Sequence, residues 1–406
     1  MYQLKKISTA VAMIGFSTAV FMGQSVAAPL DSVNANNQAT TNNSDNQTPT
    51  NNDEASISKN NANNANNANK ANANAIEEVS PVTNGVSQKL ARDSKTANAS
   101  NKFLPTIKYT TDNLSVAAQK VNDATWKEGM NIDRVIGTKL QALLNWHHNG
   151  VGPVDGYWGK NTRKAMQAFQ QANGLAVTDT LTNETWQALT KNEELTVQPV
   201  LVSYQITDAD VNIKMTEIPA GAEAKSKLEG LYYESITEGL AEKFHISESY
   251  LKALNPKASF TAGETITVYN PGNPNTKPVS RVVADKATET LYAYDDKDNL
   301  VASYPTTVGS TATPSPTGTH TVEVKVHEPN YTYTAKDGSK SILPPGPNNP
   351  VGSVWIGLSK PSYGIHGSPD PDRISRQASA GCIRLTNWDA LALLGVIQNG
   401  ATVEFK

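Results

Sequence analysis

The sequence predicts a multidomain α+β protein, because helix-forming and strand-forming stretches are segregated along its 406 residues. Three observations carry this. Apolar residues recur at helical spacing between Asp133 and Thr190, apolar and polar residues alternate with period two from Val279 onward, and the stretch from Asp31 to Lys102 has no aromatic residue and supports neither pattern.

The chain opens with Lys5 and Lys6, an apolar run from Ile7 to Met22, and small residues at Ser25 and Ala27. This order reads as a secretory signal peptide over residues 1–27, and the run is short and interrupted by Ser8, Thr9 and Ser17 for a bilayer span. An exported, periplasmic protein is expected. Residues 28–103, rich in Asn and Ala, cannot bury enough apolar surface to offset their ordering entropy and read as a disordered tether.

Residues 104–198 form the first predicted folded domain. "VIGTKLQALLNW" and "TRKAMQAFQQANGL" have helical periodicity, with Asn161 or Thr162 as a cap for the second and Gly174 as its stop. A third helix fits "TNETWQALT", capped by Thr182. His147 and His148 are adjacent, so they point in different directions, and no third ligand accompanies them. Residues 199–278 form the second unit, with two short helices broken at His245-Ile246 and Asn255-Pro256 and a closing strand in "GETITVYNP".

Residues 279–406 read as a mostly β domain. "DDKDN" is a hairpin turn between alternating strands, "THTVEVKVHEP" and "SVWIGLS" are further strands, and "TNWDALALLGVIQNG" is one late helix in which Thr386 and Asp389 have capping-box spacing. The net charge of -3 offers no basic footprint, so nucleic acid is not an expected partner, and a monomer is expected.

Cys382 is the chain's one cysteine. An unpaired thiol in an exported protein suggests an intermolecular bridge or a free reactive thiol, unless it is simply a small buried hydrophobe. His366, at the end of "YGIHG", can take the thiol proton. Ser379, Ala380 and Gly381 keep the turn before Cys382 uncrowded, as a backbone N–H that steadies an oxyanion requires. If Cys382-Ile383-Arg384 is extended, the Arg384 guanidinium shares a face with the sulfur, where it can bind a carboxylate or pair with a nearby Asp. Together these describe an acyl-transfer site.

The segments "PPGPNNPVGSVWIGLS", "YGIHGS" and "SAGCIRLTNWDA" resemble the catalytic domain of the YkuD-type L,D-transpeptidases over residues 279–406. The resemblance implies Cys382 as nucleophile and His366 as its base. It further implies Ser379, Gly381 and Gly367 as shapers of the oxyanion site, Arg384 as a substrate or scaffold contact, and Tyr363 as a substrate contact. It departs from many members in having Ala380 where they have a second histidine, which leaves His366 as the sole imidazole expected in the site. The run "VDGYWGKNTRKAMQAFQQANGL" through "LTNETWQAL" resembles a three-helix peptidoglycan-binding domain, and the strand-helix-helix-strand pattern of residues 199–278 resembles a LysM-like wall-binding module.

What these resemblances imply is an enzyme that forms a thioester on a peptidoglycan stem peptide, releases D-alanine and passes the acyl group to an amine. The product is a 3-3 cross-link, or an anchored protein if the acceptor is a lipoprotein lysine. No metal or organic cofactor is implied, and carbapenems are expected to acylate the thiol. The alternatives are a carboxypeptidase or lipoprotein-detaching hydrolase on the same fold, and a non-catalytic wall-binding protein.

Overall fold

The computed structural model describes residues 101–309, 314–335, 337–376, 379 and 381–406. The predicted signal peptide and all but the last three tether residues lie outside them. Two of those three are packed: Asn101 is buried and donates to the Ala392 carbonyl at 2.9 Å, and Phe103 lies against the core of the β domain, while Lys102 is exposed.

Helices α1 (Val116–Asn122), α2 (Arg134–Trp146), α3 (Lys160–Ala172) and α4 (Asn183–Thr190) open the structure. Strands β1 (Leu201–Gln205) and β2 (Thr265–Tyr269) pair antiparallel, with α5 (Ile236–Lys243) and α6 (Glu248–Leu254) between them. Caps fix the helix starts: Asp133 accepts from Ile136 N–H, Thr182 from Thr185, Ser235 from Glu238 and Ser247 from Tyr250. The start of α3 differs from expectation. Its cap is Gly159 with no side-chain bond, because Thr162 donates to the Tyr157 carbonyl at 3.1 Å and Asn161 reaches the Ile374 carbonyl at 3.4 Å.

The two units expected to be separate share one core. Leu140, Leu143, Met166 and Phe169 belong to the same buried cluster as Val202, Phe244, Leu251 and Val268. The reason lies in α2, which is buried on nearly every side and so needs partners on both flanks. Thr138 Oγ1 meets Tyr250 Oη at 2.7 Å, and Trp146 Nε1 donates to the Asn270 carbonyl at 3.0 Å.

The third region is built on an eight-stranded sheet. A meander of β3 (Val279–Asp285), β4 (Thr290–Tyr294) and β5 (Leu300–Pro305) is followed by β6 (Gly318–His327) and a separate hairpin of β7 (Tyr331–Thr334) and β8 (Lys340–Leu343). Then come β9 (Val354–Leu358), β10 (Gly364–His366), β11 (Ile383–Arg384), the buried helix α7 (Asn387–Leu394) and β12 (Ile397–Phe405). The spatial order is β11-β10-β9-β6-β12-β3-β4-β5, with β12 parallel to β3 and antiparallel to β6. The two ends of that order meet: just after β5, Thr307 exchanges backbone hydrogen bonds with Arg384 of β11 at 3.0 and 2.9 Å. The sheet is thereby closed rather than left with two open edges.

The sheet is joined to the preceding region by polar contacts. Gly150 N–H donates to the Ser303 carbonyl at 2.7 Å, and Lys164 of α3 donates to the Glu289 carbonyl at 2.6 Å and to Ser375 Oγ at 2.8 Å. At α7 only half of the expected capping box forms. Thr386 accepts from Asp389 N–H at 3.0 Å, but the Asp389 carboxylate is drawn toward His245 of the preceding region, 3.6 Å from Nε2.

Burial pushes the Asp389 carboxyl up to about 7. A carboxyl protonated more readily in the folded than the unfolded chain stabilises the fold below about pH 4, and that contribution is lost as pH rises through the folded value near 7. Asp389→Asn is therefore expected to gain melting temperature relative to the parent chain, and to gain more at pH 8 than at pH 5. An equal shift at both pH values, followed by circular dichroism, would remove Asp389 as a source of pH dependence.

Candidate active site

Strands β10 and β11 are parallel, with Ile365 opposite Ile383 and His366 opposite Arg384. Cys382 immediately precedes β11. The closed end of the sheet thus places the predicted histidine and arginine on two adjacent strands, with the cysteine at the entry to the second.

His366 is buried, and its Nδ1 lies 2.7 Å from the Gly367 carbonyl. A carbonyl only accepts, so Nδ1 carries the proton and Nε2 the lone pair. Burial, and secondarily the charge of Arg384, pushes the imidazole down to about 3, against the pull of the Gly367 bond. It is therefore a neutral imidazole near pH 7. Trp355, not singled out in the sequence, stacks beside it, with centroids 5.9 Å apart and planes at 24°.

The Cys382 thiol is half-buried, and its Sγ lies 3.6 Å from the Ser362 carbonyl, to which it can donate. The turn before it is closed by Ser379, whose Oγ accepts from Gly381 N–H at 3.2 Å and donates to the Cys382 carbonyl at 2.6 Å. Gly381 has φ +111°, and a Cβ there would stand 2.9 Å from Tyr363 Cε1 and 3.1 Å from the Pro314 carbonyl oxygen. Tyr363 thus covers the turn. The backbone of Arg384 is held by Thr307 on both sides, and its carbonyl also accepts from Thr306 Oγ1 at 2.9 Å.

Asn387 was read in the sequence only as part of a helix start. Its Oδ1 accepts from the backbone N–H groups of Ser353 and Ser368, both at 3.1 Å, while Nδ2 donates to the Pro347 carbonyl at 3.1 Å and to Glu242 at 2.9 Å. Gly367 passes so close that a Cβ there would lie 2.3 Å from Asn387 Oδ1. The segment that follows His366 is therefore seated on Asn387. The available signal was a polar amide at the first position of a helix that is apolar after its first turn.

Among the described residues, no group of three or more His, Cys, Asp and Glu side chains could hold a metal ion. His147 instead bonds the Leu189 carbonyl at 3.0 Å and packs edge-on against Phe169.

Residues 279–405 match the family model of the L,D-transpeptidase catalytic domain, and residues 138–189 match that of a peptidoglycan binding domain. YkuD of Bacillus licheniformis, named as an L,D-transpeptidase, is 32% identical over 169 residues, which are 41% of this chain and 90% of that protein. YkuD of Bacillus subtilis, named likewise, is 30% identical over 166 residues, 40% of this chain and 89% of its own. Among solved structures, L,D-transpeptidase 3 of Mycobacterium tuberculosis is 17% identical with a TM-score of 0.27, covering 36% of this chain and 66% of that one.

Gly381→Ala is expected to cost about 1–3 kcal/mol, from the unfavourable φ and the collision with Tyr363. Urea unfolding at neutral pH measures it, and a loss under about 0.5 kcal/mol, the scale of an ordinary surface substitution, would show that the turn is not constrained as described.

Proposed function

Because the chain belongs to the L,D-transpeptidase family, we propose that Cys382 is the nucleophile of a peptidoglycan acyl transfer that forms 3-3 cross-links. The observation that supports this most is the pairing of β10 with β11, which sets His366 and Arg384 beside the residue that carries the thiol. The match of residues 138–189 to a peptidoglycan binding domain supports the same polymer as substrate.

In this reading the thiol sulfur attacks the carbonyl of the third residue of a donor stem. His366 Nε2, neutral at rest, takes the thiol proton as the C–S bond forms. The Cys382 N–H, presented by the turn that Ser379 and Gly381 shape, steadies the developing oxyanion. Collapse breaks the amide bond, and the imidazolium returns its proton to the departing D-alanine nitrogen. An acceptor amine then attacks the thioester, His366 takes one of its protons, and the thiolate leaves and is reprotonated. Arg384 and Tyr363 contact the stem in this scheme, and Gly367, seated on Asn387, sets the position of His366.

Residues 199–278 act in it as a LysM-like wall-binding unit, raising the local concentration of stems together with the domain before it. Export to the periplasm brings the enzyme to its polymer. The same thiol is the point at which a carbapenem would add.

Incubation with purified disaccharide tetrapeptide muropeptides, read by mass spectrometry, is expected to give dimers joined through the third residues with loss of one D-alanine. Cys382→Ala is expected to give none while still binding sacculi. Dimer formation by that variant would overturn the role of Cys382, and trimmed monomers alone from the parent chain would replace transfer by hydrolysis.

A further inference from the structure

Strands β9 and β10 are joined by a tight turn in which the Lys360 carbonyl accepts from Tyr363 N–H at 3.3 Å, with Pro361 and Ser362 at its centre. Ser362 has φ +68°. A positive φ at the third position of such a turn suits glycine, which has no Cβ to collide with the backbone. A serine held there is strained, and strain of this kind persists only where the surroundings over-determine it. Here they do. Leu358 N–H donates to the Tyr363 carbonyl at 3.0 Å, Ser359 N–H to the Thr321 carbonyl at 2.8 Å and Thr321 N–H to Ser359 Oγ at 3.0 Å, while the Lys360 ammonium stands 5.2 Å from the centre of the Tyr363 ring. The turn so held brings the Ser362 carbonyl to 3.6 Å from Cys382 Sγ.

We propose, resting on the reading of Cys382 as the nucleophile, that Ser362 is a positioning residue for the thiol: its left-handed backbone aims a carbonyl at Cys382 Sγ, and that carbonyl keeps the proton on sulfur until the acyl donor is in place. A carbonyl oxygen accepts from S–H and repels a thiolate, so its hydrogen bond favours the neutral form of the thiol. Among the charged groups of these strands and the turn, Arg384 of β11 and Lys360 carry positive charge and act in the opposite sense, toward the thiolate.

The partner imidazole is neutral as well, because burial and then the Arg384 charge oppose protonation of His366. The resting pair is therefore a thiol and an imidazole, rather than a thiolate and an imidazolium. In the reaction the sulfur turns from Ser362 to the donor carbonyl, the S–H bond breaks, and His366 Nε2 gains the proton as the C–S bond forms. The thiolate, the form that alkylating agents attack, exists only during turnover.

Cys382 is the chain's one cysteine, so the rate of alkylation by iodoacetamide, followed by intact mass as a function of pH, reads this thiol without any cross-linking reaction. Ser362→Val puts a β-branched residue at the positive φ and is expected to move the carbonyl away, giving a titration midpoint about one unit lower than the parent chain's and roughly tenfold faster alkylation at pH 7. Ser362→Gly accepts the same φ without strain and is expected to restore the parent profile. Pro361→Gly, at an exposed position, loosens the same turn without a clash and moves the midpoint in the same direction as Ser362→Val if that variant fails to fold. A parent midpoint below pH 7, an unchanged midpoint in the folded Ser362→Val or Pro361→Gly chain, or a Ser362→Gly profile like that of Ser362→Val would overturn the proposal. Failure of the nucleophile assignment itself shows separately, as cross-linking by Cys382→Ala.

Discussion

The geometry of the site depends on one backbone exchange, the pair of hydrogen bonds between Thr307 and Arg384 that closes the sheet. Strand β11 is only two residues long and sits at the end of the strand order, where it pairs with β10 alone. A strand so short gains little from one neighbour. With Thr307 on its other side, both edges of β11 are bonded, and the residue entering it, Cys382, is held at a fixed point relative to His366. The Arg384 carbonyl takes a further bond from Thr306 Oγ1, so the closure is tied by side chain as well as backbone.

That closure is braced from outside the β domain. Ser375 donates its N–H to Thr307 Oγ1 and its Oγ to the Thr306 carbonyl, and Lys164 of α3 donates to Ser375 Oγ. Burial pushes the Lys164 ammonium down to about 7, a cost that its bonds to Glu289 and Ser375 offset in part. On the opposite side Glu242 bonds Asn387, which seats the segment after His366. The region that matches a peptidoglycan binding domain and the helices that follow it are thus built into the frame of the candidate site. They are more than tethered appendages.

Elements governed by local chemistry were legible in the sequence. The turn at residues 295–299, the caps Thr182 and Thr386, the breaks after Lys243 and Leu254 and the small-residue turn before Cys382 all follow from a few neighbouring residues. What was not legible depends on partners far along the chain. Asp389 has capping-box spacing, yet its carboxylate faces His245, and Asn387 looks like a helix-start residue until Ser353, Ser368 and Glu242 converge on it. The shared core of residues 118–269 was missed because the periodicity of α2 shows one apolar stripe, while its polar residues Thr138, Lys139 and Gln141 are buried as well. Packing of Asn101 and Phe103 was hidden by the composition of the stretch before them.

The account as a whole requires an acyl group on one sulfur. Its most direct measurement is rapid acid quench of the chain with a disaccharide tetrapeptide donor and no added acceptor, followed by proteolysis and mass mapping. The account predicts that the peptide containing Cys382 gains the mass of the disaccharide tripeptide acyl group, and that hydroxylamine removes it. Release of D-alanine with an unmodified Cys382 peptide at every quench time, or the acyl group on another residue, would contradict it.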